Sequence, residues 1–235
     1  MTAELTLIFP TYNELPHLHD SIRRIEEFCK AVRVPIDVVF VDDCSKDGTT
    51  AALKEYEKKG HRVLYHAENQ GRGAAVTTGI RATTSPFVGF IDIDMEVDIF
   101  SMLPLVEQMR KGGDVVLGLR VYKLRPAIMH RYALSVGYQH VAARYLGLPR
   151  RDSETGFKLF RREAILPVLE RVQSKGWFWD TEIVARAHIM GLDIREVPVL
   201  FWRRSDKYTS VRLAEDVLTY LHELYRFRTQ LNAER

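Results

Sequence analysis

Four short apolar runs in the first half of the chain each stop at polar or turn-forming residues, and each leads into an amphipathic segment. Leu5–Phe9 precedes a predicted helix over 15–31, Ile36–Val41 one over 49–59, Arg62–Tyr65 one over 72–82, and Phe87–Ile91 one over 100–111. A further run, Asp114–Leu117, closes the series. Strands that alternate with helices imply a mostly parallel sheet with helices on both faces. In such a sheet the carboxyl ends of the strands share one edge, and ligands gather there.

The residues at that edge are therefore the candidates for chemistry. They are Pro10-Thr-Tyr-Asn-Glu14, then Asp42-Asp-Cys-Ser-Lys-Asp-Gly-Thr49, then Asn69-Gln-Gly-Arg-Gly73, then Asp92-Ile-Asp94. Two carboxylates at the end of a buried strand are costly unless a cation joins them. A hard divalent ion, Mg²⁺ or Mn²⁺, takes oxygen ligands and shares them with substrate phosphates. Ile93 points the other way along an extended backbone, so Asp92 and Asp94 face a ligand together, with Glu96 close behind. Taken singly, each cluster also reads as a helix cap or an Asx turn, as Asp47-Gly48 does. Gly71-Arg72-Gly73 opens a helix whose free amides suit an anion. It fails as a dinucleotide fingerprint, because Val76 stands at the third glycine position. The histidines show no metal-ligand spacing.

Charge divides the chain. No acidic residue occurs between Asp114 and Asp152, a stretch holding Arg120, Lys123, Arg125, Arg131, Arg144, Arg150 and Arg151. Arg203, Arg204, Lys207 and Arg212 form a second basic group. Such a stretch favours anions, phosphates first. The second half is expected to hold helices over 127–146, 162–172, 179–190 and 211–227, with strands over 157–160 and 194–200. Apolar residues in the last helix are Leu213, Val217, Leu218, Leu221, Leu224 and Tyr225. The 235-residue chain is 46% hydrophobic, enough for one sizeable core. Cys29 and Cys44 make no disulfide framework, the N-terminus lacks signal-peptide features, and no apolar run approaches a membrane span. The expected location is cytoplasmic, at the cytoplasmic face of a membrane, with no nucleic-acid partner.

Six segments in order carry a resemblance: Pro10–Glu14, Val41–Thr49, Asn69–Gly73, Asp92–Asp94, Glu154–Arg162 and Trp179–Glu182. With them the chain resembles family 2 inverting glycosyltransferases of the GT-A (Rossmann-like) fold. Within that family it is similar to the polyprenyl-phosphate sugar synthases, the dolichol-phosphate mannose and glucose synthase group. The resemblance implies a mostly parallel α/β domain over residues 1–210, with a nucleotide-sugar half (1–118), an acceptor half (119–210) and a C-terminal helical extension (211–235).

It also implies roles. Pro10, Tyr12, Glu14, Asp42, Asp43, Gly71, Arg72 and Gly73 would line the nucleotide-sugar pocket, Asp42 near the base and Asp43 near the ribose. Asp94 would bind the metal, with Asp92 nearer the sugar or ribose; where the family often shows Gln two residues after the motif, this chain has Glu96, a further candidate metal ligand. Arg120, Arg131 and Ser135 would hold the acceptor phosphate, with Arg203 or Arg204, Lys207 and Ser210 in a second phosphate-binding turn. Asp152, Glu154, Asp180 and Glu182 would position sugar and loops. The implied reaction transfers a hexose from GDP-mannose or UDP-glucose to a polyprenyl phosphate at a membrane surface. Overall resemblance leans to mannose, whereas Phe157-Lys-Leu-Phe160 is shared with glucose-transferring relatives. A soluble or protein acceptor, a non-catalytic nucleotide-sugar binder and a phospho-acceptor receiver domain are the alternatives.

Overall fold

The computed structural model describes residues 3–122, 129–202 and 213–234, with residues 130–132 and 213–217 described by backbone alone. The strands are β1 (Leu5–Thr11), β2 (Ile36–Asp42), β3 (Arg62–Tyr65), β4 (Phe87–Ile91), β5 (Val115–Tyr122), β6 (Phe157–Arg161) and β7 (Ile194–Phe201). The helices are α1 (Leu15–Ala31), α2 (Thr49–Lys58), α3 (Arg72–Ala82), α4 (Met102–Arg110), α5 (Met129–Leu146), α6 (Arg162–Leu169), α7 (Trp179–Ile189) and α8 (Leu213–Ala233). They build one seven-stranded sheet in the order β3-β2-β1-β4-β6-β5-β7.

β6 alone runs antiparallel, inserted between β4 and β5. The strand expected to close the first series is thus not the neighbour of β4. The antiparallel insertion has a consequence for the site. The chain entering β6 arrives at the same edge as the carboxyl ends of β1, β2, β4 and β5, because Ile91 pairs with Phe157.

Both sheet faces are covered, so central strands are apolar throughout rather than alternating. Leu5, Leu7 and Phe9 of β1 pack with Leu18, Ile22, Ile25 and Phe28 of α1 and with Met102, Leu105 and Met109 of α4. Ile8 faces the other layer, with Val76 and Ile80 of α3, Ile165 and Val168 of α6, and Trp179 and Ile183 of α7. A third cluster joins Ala142 and Leu146 of α5 to Leu224, Phe227 and Leu231 of α8 and to Phe178 and Ala185.

Two sequence expectations need correction. β5 extends to Tyr122, well past Leu117, because parallel pairing with β7 continues through Tyr122 and Phe201. α8 reaches Ala233, and its buried side is Leu224, Phe227 and Leu231, while Leu218, Leu221 and Tyr225 are exposed. Its core contact lies on the side facing α5 and Phe178, which the apolar count along the helix did not single out. Among the described residues, no helix is long and apolar enough to cross a membrane.

Candidate active site

The first two loops at the sheet edge are laced together by side-chain bonds to backbone N–H groups. Asn13 N donates to Ser45 Oγ (2.9 Å), and Asn13 Oδ1 accepts from Lys46 N (2.8 Å). Thr49 Oγ1 accepts from Glu14 N (2.9 Å), and Asp47 Oδ2 accepts from Leu15 N (3.1 Å). These bonds tie the start of α1 to the loop that leads into α2. Tyr12 is left exposed at the mouth.

Asp42 and Asp43 are almost fully buried. Asp42 accepts from Ser45 N (3.2 Å) and Thr50 Oγ1 (2.5 Å). Asp43 accepts from Gln70 N and Gly71 N (both 2.8 Å) and meets His66 Nδ1 at 2.7 Å. The opposite ring nitrogen of His66 meets Thr78 Oγ1 at 2.9 Å. Both carboxylates thus shape the pocket loops through the backbone. Pro10 is a buried β1 residue opposite Val41, behind the lining. His66, which spacing alone left without a role, ties the second loop to α3.

The start of α3 is filled by the protein itself. Asp43 takes the Gly71 N–H, and the Lys175 carbonyl takes the Ala74 N–H at 3.0 Å. The anion site expected at these amides is therefore partly closed, because the 173–176 loop is drawn over the helix end. Glu182 holds that loop by accepting from Gln173 N (3.1 Å) and Ser174 N (2.9 Å), and it pairs with Arg186 at 2.7 Å. A Cβ on Gly73 would lie 2.3 Å from Cβ of Trp179, so only glycine permits this approach of α3 to α7.

The acid centre follows β4. Asp92 and Asp94 are both half-buried, and Ile93 between them is in the core. Asp92 N donates to the Gly156 carbonyl (3.0 Å), and Asp94 Oδ1 accepts from Glu96 N (3.3 Å). Met95, next after the acids, takes φ +54°, a strained value for a side chain of its size. Arg72 spans the centre, donating to Asp92 Oδ1 at 2.6 Å and, very closely, to Asp180. Its guanidinium lies 5.0 Å from the Phe90 ring and 4.9 Å from that of Trp177, which is exposed. Lys158, fully buried, donates to Asp180 at 2.5 Å and to the Thr155 carbonyl. Two buried cations and two acids thus alternate as Lys158, Asp180, Arg72, Asp92.

Burial raises the Asp92 pKa above the ordinary carboxylate value; Arg72 opposes this, while Asp94 and Asp180 push the same way. Burial lowers the Lys158 pKa against the pull of Asp180, with Arg72 adding to the fall. Arg72 Nη2 is buried with no hydrogen-bond partner. A Cβ on Gly156 would fall 1.7 Å from Asp92 Oδ2 and 2.8 Å from Arg72 Nη2, so glycine there keeps space beside both.

A second cluster sits on the acceptor side. Arg120 donates to Asp152 through Nε (2.9 Å), Nη2 (2.6 Å) and its backbone N (3.0 Å). Nη2 also reaches Ser135 Oγ (3.1 Å), which donates to Glu154 Oε2 at 2.7 Å. The guanidinium lies over the rings of Tyr122 and Phe201. Burial raises the Glu154 carboxyl against Arg120 and Ser135, and burial pushes the Tyr122 hydroxyl up to about 12. Arg120 of the acid-free stretch is thus neutralised by acids outside it, and Arg151 pairs with Glu196 at 3.5 Å. The side chain of Arg131, together with Arg203, Arg204, Lys207 and Ser210, lies outside the described residues.

One segment serves both clusters. Asp152 and Glu154 face Arg120, while Gly156 and Lys158 face the acid centre. Lys158 went unassigned in the sequence because a lysine inside Phe157–Phe160 reads as an outward strand residue. Only the partner Asp180, on α7, gives it a buried position.

Among the described residues, no group of three or more His, Cys, Asp or Glu is placed to hold a metal by itself. Asp92 and Asp94 offer hard oxygen donors, and the Asp94 charge acts on Asp92. That set suits an ion that completes its shell with phosphate oxygens, the usual habit of Mg²⁺.

The chain is 29% identical to glycosyltransferase AglD of Haloferax volcanii over 97% of its own length, but spans only 38% of that protein. It is 27% identical to the dolichyl-phosphate beta-glucosyltransferase of Saccharomyces cerevisiae, covering 94% of this chain and 76% of that one. Among solved structures, it superposes on Mycobacterium tuberculosis glucosyl-3-phosphoglycerate synthase, in complex with Mn²⁺, UDP and glucosyl-3-phosphoglycerate, with a TM-score of 0.67. That match has 18% identity and covers 96% of this chain and 78% of that one. The Pyrobaculum calidifontis mannosyltransferase PcManGT, in complex with GDP-Man and Mn²⁺, gives 0.61 at 21% identity, over 96% and 65% of the two chains. Both share the GT-A arrangement of strands. The family described as glycosyl transferase family 2 matches residues 6–167, most of the sheet and both clusters up to β6, and this chain belongs to it.

Proposed function

We propose that this protein transfers glucose, with inversion, from a nucleotide diphosphate sugar to a polyprenyl phosphate. The observation that carries the reading is the placement of two unlike clusters at one sheet edge. The Asp92–Asp94 acids stand beside the Arg120–Asp152–Glu154 cluster, joined by the single segment 152–158. Relatives named dolichyl-phosphate beta-glucosyltransferase, from Saccharomyces cerevisiae and Dictyostelium discoideum, favour glucose over mannose.

In this reading the loops held by Asp42, Asp43 and Asp47 form the nucleotide pocket. Asp94, with Asp92 beside it, would hold a divalent ion, and that ion would supply charge neutralisation for the diphosphate leaving group. Asp92, held by Arg72, would lie nearer the sugar. A phosphate acceptor is already an anion at neutral pH, so one of its oxygens attacks the anomeric carbon as the bond to the diphosphate breaks, and no strong base is required. Arg120 and Ser135 receive that phosphate, with Arg131, Arg203, Arg204, Lys207 and Ser210 supplying further donors.

The test offers labelled UDP-glucose or GDP-mannose with Mn²⁺ and a polyprenyl phosphate, then extracts with organic solvent. Label from UDP-glucose enters the organic phase, and Asp94→Asn lowers the rate by about 10²-fold or more. Label that remains aqueous for every polyprenyl phosphate offered overturns the reading.

A further inference from the structure

β5 and β7 continue as a two-stranded ribbon after the sheet's core ends. Burial in β5 stops at Gly118, and residues then alternate exposed and half-buried to Tyr122. The parallel register sets Leu119 opposite Pro198, Arg120 opposite Val199, Val121 opposite Leu200 and Tyr122 opposite Phe201. Opposed residues of a ladder share a face. One face therefore carries Arg120, Tyr122 and Phe201 against the acceptor-side cluster. The other presents Leu119, Val121, Pro198 and Leu200, with Leu200 75% exposed.

Four aliphatic side chains on an exposed edge ribbon are a liability in water. Their surroundings in the sequence indicate what covers them. β5 runs directly into Lys123 and Arg125, and β7 into Trp202, Arg203, Arg204 and Lys207. An exposed aliphatic patch with an exposed tryptophan following one of its strands, on strands whose continuing sequence is basic, matches an anionic headgroup layer over hydrocarbon.

We propose that the outer face of the β5–β7 ribbon is the surface by which this protein docks on an anionic lipid bilayer. The choice of a bilayer as partner rests on the polyprenyl-phosphate reading. Docked this way, the Arg120 cluster lies one sheet's thickness from the headgroups. The ribbon also reports to the acid centre, because Val97 bridges Phe201 and Trp202 N donates to the Glu96 carbonyl at 2.7 Å.

The test is sedimentation of the whole protein with vesicles of phosphatidylcholine, with and without phosphatidylglycerol, in the absence of nucleotide sugar. The protein sediments with the anionic vesicles, and Val121→Glu/Leu200→Glu lowers the bound fraction at limiting lipid by about tenfold. That variant keeps the wild-type melting temperature and its transfer rate to a short, water-soluble prenyl phosphate. Leu218→Glu/Leu221→Glu, on the exposed side of α8, keeps wild-type vesicle binding.

Wild-type protein that ignores anionic vesicles overturns the proposal, as does a ribbon variant that binds like wild type. Loss of binding in the α8 variant alone does the same. So does a ribbon variant that only dissociates a dimer in analytical ultracentrifugation, which would make the face an interface between copies. Because binding is read without sugar transfer, failure of the transfer assay leaves this result separately readable.

Discussion

Carboxylates crowd both halves of the site edge, yet they do different work in each. On the nucleotide side, Asp42, Asp43 and Asp47 accept from backbone N–H groups at 2.8–3.2 Å, so their charge is used to hold loops in shape. In the acid centre and on the acceptor side, Asp180 and Asp152 face Arg72, Lys158 and Arg120, so their charge is used to balance buried cations. Losing an acid of the first kind frees a loop, and losing one of the second kind strands a cation. The effects of substitution should differ in size and in what they disturb.

Asp180→Ala tests the cation-balancing acids most severely. It leaves Lys158 and Arg72 short of a partner while both remain buried, and should destabilise the fold by about 3–5 kcal/mol in urea titration. Lys158→Met in the Asp180→Ala background should recover part of that loss. Stability unchanged by Asp180→Ala would break the distinction.

Asp43→Ala tests the nucleotide side. It removes the acceptor for Gln70 N, Gly71 N and His66, at a cost of about 1–3 kcal/mol. Steady-state kinetics should show a raised KM for the nucleotide sugar and a smaller change in kcat, because the residue acts through the loop. A fall confined to kcat would place Asp43 at the reacting atoms instead.

The smallest effect concerns pH. Burial raises the Glu154 pKa, so the folded protein holds this proton longer than the unfolded chain does. Stability contributed at this position is therefore greatest below the unfolded value and declines as pH rises through the folded one. Glu154→Gln lacks that decline. Its stability relative to wild type, from melting curves between pH 4 and 7, should improve as pH increases. A flat difference would show that Arg120 and Ser135 fully offset the burial.

Much of this was legible in the chain. The four strand ends, the paired acids of Asp92-Ile-Asp94 and the glycines at 71 and 73 are local patterns whose period and turn chemistry act over a few residues. Lys158 and His66 were not legible as site residues. A buried lysine is stable only beside a partner 22 positions away on another element, and nothing in its neighbours announces that partner. The buried side of α8 could not be read from its apolar residues for the same reason. A helix can be apolar on more than one side, and only packing against α5 chooses which side is covered.

The sequence by itself therefore determined the alternating α/β order, the polar residues at the strand ends and the family to which they belong. These follow from hydrophobic period and short motifs, which need no distant partner. Tertiary structure alone decided that β6 enters antiparallel beside β4. That arrangement carries residues 152–158 between the two clusters and turns Asp92 toward Arg72. It also let β5 and β7 run on together, with Arg120 on one face and an aliphatic patch on the other. Strand order and ion-pair partners depend on contacts between residues far apart in the chain, and those energies exist only once the sheet has assembled.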